Sequence, residues 1–105
     1  MELTVFWTEF SEKELESIFE YYKRKANVSV AKKIIDEIYK ETLKLKEQPR
    51  IGQIEELLKQ RTQEFRYLVH KNHKIIYWIN ESKNRIEIND VFDTRQNPPK
   101  LKRTK

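Results

Sequence analysis

The stretch 65–92, FRYLVHKNHKIIYWINESKNRIEINDVF, decides the fold, because its apolar residues recur with a period of two rather than 3.6. Residues 65–70, 74–80 and 85–92 each read as a strand rich in β-branched and aromatic side chains, and polar links at 71–73 and 81–84 join them. Links this short force neighbouring strands to run antiparallel, as a meander. Residues 75–79 are apolar throughout, which places that strand centrally with both faces covered, one of them by a bound partner.

Upstream, residues 2–7 alternate Leu3, Val5 and Trp7 against Glu2, Thr4 and Phe6 and predict a first strand. Ser11 followed by Glu14 is a capping-box signature, and Leu15, Ile18, Phe19 and Tyr22 then share one face, predicting a helix over 12–25. Asn27 or Ser29 caps a second helix whose stripe runs Ala31, Ile34, Ile35, Ile38, Thr42 and Leu45, and which Pro49 and Gly52 end. The short connection makes the two helices an antiparallel hairpin. Residues 54–59 read as a helical turn or an irregular lead-in. The order gives an α+β domain, β-α-α-β-β-β, with the helical hairpin packed on one face of a mainly antiparallel sheet and the other face open to a ligand. The expected core is Leu3, Val5, Leu15, Ile18, Phe19, Tyr22, Ile34, Ile35, Ile38, Leu45, Leu68, Ile76, Ile86 and Ile88. A one-residue slip would exchange Ile76 and Trp78 for Ile75, Tyr77 and Ile79 on the covered face.

With 105 residues the chain has room for one modest core. Its longest apolar run is five residues, far below the roughly 20 that span a bilayer, and no secretory signal segment is expected. The absence of cysteine excludes a disulfide framework and fits a reducing compartment. With only two histidines besides, neither a metal nor a cofactor enters the expected chemistry. The net charge of +5 is uneven: residues 1–56 hold ten Lys and Arg against twelve Asp and Glu, and residues 57–105 hold twelve against five. An anionic partner, nucleic acid or acidic protein, is therefore expected to meet the second half.

Three segments then carry a resemblance. Phe65-Arg66-Tyr67-Leu68-Val69, Lys74-Ile75-Ile76-Tyr77, and Ile88-Asn89-Asp90-Val91-Phe92-Asp93-Thr94-Arg95-Gln96-Asn97-Pro98 resemble the RelE/ParE superfamily of bacterial toxins from type II toxin–antitoxin systems. The arginine directly after the last strand, followed by Asn-Pro, is the most specific feature. The resemblance implies one toxin domain over residues 1–99 with a basic tail at 100–105. It also implies a cytoplasmic growth inhibitor bound by a cognate antitoxin in a hetero-oligomer, with no membrane role. Two activities share that fold, ribosome-dependent mRNA cleavage (RelE-like) and inhibition of DNA gyrase (ParE-like), so the site has to choose between them.

RNA cleavage requires a base, an acid and cations on the phosphate. By resemblance Arg95 and Lys74 fall where RelE-like enzymes carry functional basic residues. His73, beside the turn with His70, is then the proton-transfer group. Arg66, Lys71, Lys74 and Arg95 form the expected nucleic-acid contacts, although Arg95 can equally close a salt bridge to Asp93 or Asp90. RelE-like ribonucleases also carry further basic residues on the strand before this turn and an aromatic or histidine acid–base group near the carboxyl terminus. Here the strand has Tyr67 and Val69, and no Tyr or His follows Tyr77. That departure, with the long hairpin and the interface-type residues Tyr21 and Tyr22, leans toward the gyrase inhibitor. A basic nucleic-acid-binding module without toxicity is the remaining alternative.

Overall fold

The computed structural model describes residues 3–95, so Glu2, the Gln96-Asn97-Pro98 end of the resemblance and the tail at 100–105 lie outside the described residues. The elements are β1 (Thr4–Trp7), α1 (Glu9–Lys25), α2 (Val28–Leu43), β2 (Gln53–Ile54), β3 (Arg66–His70), β4 (His73–Asn80) and β5 (Arg85–Asp93). The strands form one sheet in the order β1-β5-β4-β3-β2. β1 runs parallel to β5, and the other pairs are antiparallel. The α+β class and the hairpin over one sheet face are as expected. A fifth strand, β2, is not among those expected, and only its second residue falls in the 54–59 segment read as a turn or lead-in; its two residues pair with Tyr67 and Arg66 before a 3-10 turn at Glu56–Leu58.

α1 starts earlier than the Ser11 signature predicts. Thr8 is the cap, its Oγ1 accepting the Ser11 N–H at 3.1 Å, and Ser11 is buried with its hydroxyl donating to the Thr8 carbonyl at 2.8 Å. Glu9 and Glu12 in the first turn and Lys23, Arg24 and Lys25 in the last oppose the helix dipole with favourable charges. α2 is capped by Asn27, whose Oδ1 accepts the Val30 N–H at 2.8 Å. It tightens into a 3-10 turn at Lys44–Lys46, well before Pro49.

The main core lies between the hairpin and the sheet, with Leu15, Ile38, Leu45, Ile75, Tyr77, Ile86, Ile88 and Val91 buried in it. Leu3, Val5, Ile18, Ile34, Ile35 and Leu68 pack at its edge as expected. Phe19 lines a shallow groove between the helices, and Tyr22 turns its edge to His73. On β4 the register is the slipped one: Ile75 and Tyr77 face the helices, and Ile76 packs on the opposite side against Leu58 and Phe65. That side of Ile76 is thus covered by the chain's own 54–65 segment, where the sequence predicted a partner. Tyr77 can enter the core because its hydroxyl has polar company, donating to the Pro49 carbonyl at 2.7 Å and accepting from the Gly52 N–H at 3.0 Å. This close approach is why position 52 is glycine, since a Cβ there would stand 2.5 Å from the Tyr77 hydroxyl.

A β-bulge sets the far end of the sheet. Ile76 pairs with Asp90 and Tyr77 with Ile88, leaving Asn89 as an extra residue on β5. The extra residue shifts the alternation, so Ile86, Ile88 and then Val91 all point to the helices.

Candidate functional site

Beyond the bulge, β5 and the tight hairpin between β3 and β4 meet α1 around a cleft of about 310 Å³. Ile18, Tyr21 and Tyr22 wall it on the helix side, and His73, Val91 and Arg95 on the sheet side. Lys71 adopts a left-handed conformation (φ 56°) in the two-residue turn, so β4 begins at His73, one residue earlier than predicted.

Arg95 stands at the mouth, 66% exposed on its side chain. Asp93 grips it: the Arg95 Nε donates to both carboxylate oxygens at 2.9 and 3.1 Å, the second guanidinium nitrogen donates to Oδ2, and the Arg95 backbone N–H donates to Oδ1 at 2.8 Å. The guanidinium holds the Asp93 carboxyl at about 2, below its usual range, and its own pKa is raised in return. Asn72, in the turn, donates to Asp93 Oδ2 at 2.9 Å, and its carbonyl accepts the Thr94 N–H at 2.8 Å.

His73 lies at the floor, 4% exposed, with the Tyr22 ring edge-on at 6.0 Å. Burial pushes its pKa down, so the ring is neutral at neutral pH.

The other basic residues singled out in the sequence stand elsewhere, each beside a carboxylate. Lys74 points to the opposite sheet face from its neighbour His73, its amine 2.5 Å from the buried Glu55 carboxylate and 4.1 Å from the Tyr67 ring centre. Lys71 pairs with Glu37 of α2 at 3.0 Å, and His70 reaches the same Glu37 oxygen at 3.0 Å. These contacts, His70 first, take the Glu37 carboxyl down to about 2. Arg66 clamps the loop before β2, donating to the Gly52 carbonyl at 3.0 Å and to Glu64 at 3.1 Å. The structure therefore brings Arg95 and His73 to one cleft and leaves Arg66, Lys71 and Lys74 outside it. Sequence reading named Asp93 as a partner for Arg95 but missed Asn72, 21 residues away, as well as Glu37 and Glu55, whose pairing is set by the fold. Among the described residues no cluster of three or more His, Asp or Glu is placed to hold a metal.

A chemistry that needs several free cations around a phosphate has one exposed guanidinium here, already shared with a carboxylate. The same end of the molecule offers an exposed tyrosine, an oriented arginine and an apolar wall, which suit a protein contact.

Comparison with known proteins agrees with this architecture. The family described as ParE toxin of type II toxin–antitoxin system, parDE, matches residues 5–98. No curated protein matches significantly. Among solved structures the chain is similar to one from the chromosomal ParDE toxin–antitoxin system of P. aeruginosa, at 15% identity and a TM-score of 0.72, over 88% of this chain and 96% of that one. It is also similar to a free-state double arginine mutant of the E. coli toxin RelE, at 20% identity and a TM-score of 0.52, over 89% of this chain and 84% of that one. At these identities the structural likenesses bear on the fold alone, and no helix among the described residues is long and apolar enough to cross a membrane. The family match spans nearly the whole chain, and the chain accordingly belongs to the ParE toxin family, the toxin side of type II toxin–antitoxin systems.

Proposed function

We propose that this toxin arrests growth by binding DNA gyrase in the cytoplasm and does not cut mRNA, and that its cognate antitoxin neutralises it in a hetero-oligomer. Residues 1–99 would form the inhibitory domain, with Arg95 and Tyr21 at the cleft rim contacting the target, and residues 100–105 a basic extension. One observation carries the choice between the two activities. Arg66, Lys71, Lys74 and Arg95, the cations an RNA-cleaving site would need, each have a carboxylate partner in Glu64, Glu37, Glu55 and Asp93. Of the four only Arg95 lines the cleft, so among the described residues these cations do not converge to stabilise charge building on one phosphate. The buried, neutral His73 has Tyr22 edge-on and Asp93 across the ladder as neighbours, and the Asp93 carboxylate is already committed to Arg95 and Asn72 rather than to proton transfer across a phosphodiester. Binding to a protein needs no such constellation.

The test is inducible expression in a bacterium, following growth, mRNA integrity and plasmid supercoiling, with Arg95→Ala as the control. The expected result is growth arrest with intact mRNA and loss of negative supercoiling, relieved by Arg95→Ala. Arrest with fragmented mRNA and normal supercoiling would reverse the assignment to a RelE-like ribonuclease.

A further inference from the structure

We propose that Asn72 and Asp93 are positioning residues, which hold the Arg95 guanidinium in one orientation at the cleft mouth so that its free edge meets a carboxylate on the bound target. The inference rests on the reading of Arg95 as a target contact.

An exposed arginine samples many rotamers, and a partner that must freeze them loses affinity in doing so. Arg95 is exposed, yet its Nε and one terminal nitrogen are already bound side-on by Asp93. The other terminal nitrogen donates to no described residue, so the outer edge of the fork keeps the two-pronged geometry that pairs with a carboxylate. Asp93 cannot swing with the arginine, because Oδ2 also accepts from Asn72 at 2.9 Å and Oδ1 from the Arg95 backbone at 2.8 Å. Asn72 is in turn anchored by the turn between β3 and β4, where its carbonyl accepts from both the Thr94 N–H at 2.8 Å and the Thr94 hydroxyl at 3.2 Å. A chain of hydrogen bonds thus runs from the hairpin turn through one carboxylate to the guanidinium. It joins segments more than 20 residues apart and fixes a side chain that is mostly exposed.

Two measurements on the full-length protein test this. In the free ¹⁵N-labelled toxin the Arg95 Nε–H is expected to exchange with water about ten-fold more slowly than that of an unpaired arginine. Asn72→Ala should cut this protection about five-fold while the β4 and β5 amides keep theirs, as expected for loss of one supporting hydrogen bond. The second is a double-mutant cycle on the intracellular toxin level that halves growth rate. Asn72→Ala is expected to raise that level about five-fold, Arg95→Ala further, and Asn72→Ala to add nothing once Arg95 is alanine. Full additivity would assign Asn72 to the fold alone and overturn the inference. An Nε–H that exchanges freely in the unmutated toxin, or Arg95→Ala leaving toxicity unchanged, would overturn it as well. If arrest occurs with supercoiling unaltered, the gyrase reading falls, and the cycle still decides the positioning role.

Discussion

His73 and Asp93 face each other across the β4–β5 ladder, and acid acts on them in two separate windows. Burial lowers the His73 pKa below its usual 6.5, so as pH falls the unfolded chain takes up this proton first and folding loses stability from about pH 6.5 downward. Asp93 and Glu37 are lowered from 3.8 and 4.5 to about 2, by Arg95 and by His70 with Lys71 respectively. Their contribution is fully present above about pH 4.5 and is lost as pH falls toward 2. Urea unfolding followed against pH should therefore decline in two stages. His73→Gln is expected to remove the upper stage and spare the lower one, whereas Arg95→Ala should return the Asp93 carboxyl, followed by its ¹³C shift, to the ordinary aspartate range. A single decline confined below pH 4 would show that His73 titrates as an exposed histidine does.

At the scale of elements, the cap of α1 shows both what the sequence tells and where it misleads. The three-residue spacing from Ser11 to Glu14 fits a capping box, but Thr8 and Ser11 have the same spacing and form the observed cap. Thr8→Ala is expected to lower the unfolding free energy by about 1 kcal/mol, measured in urea, with a smaller loss for Ser11→Ala, which leaves Thr8 Oγ1 to accept the Ser11 N–H. The amphipathic stripes of α1 and α2 and the meander of β3, β4 and β5 were legible because each spans several periods of its pattern. β2 was not legible, since two residues carry no period and their pairing comes from β3. The bulge left a faint mark: Ile86 and Ile88 keep the alternation, and the next core residue, Val91, is three positions on. The β4 face assignment could not be read from five consecutive apolar residues, and only the polar company of the Tyr77 hydroxyl settles it.

Across the whole molecule, the division into an acidic first half and a basic second half does not survive folding as two charged surfaces. Glu37 on α2 folds against Lys71, and Glu55 beside β2 folds against Lys74, so carboxylates of the first half neutralise cations of the second. Arg66, Arg85 and Arg95 pair with Glu64, Glu87 and Asp93 nearby in sequence. The Arg95–Asp93 pair was readable for that reason, and the long-range pairs were not. Much of the excess positive charge then belongs to Lys100, Lys102, Arg103 and Lys105, and ending the chain at Pro99 leaves a formal net charge of +1 in place of +5. Non-specific attraction to nucleic acid depends on cations free to displace counterions, whereas the proposed gyrase contact lies at the cleft. The truncated protein is accordingly expected to bind duplex DNA more weakly, with a log–log salt slope smaller by about 3 to 4, and to inhibit supercoiling at the same protein concentration as the full chain. If truncation abolished inhibition along with DNA binding, the basic tail and not the Arg95 cleft would hold the target.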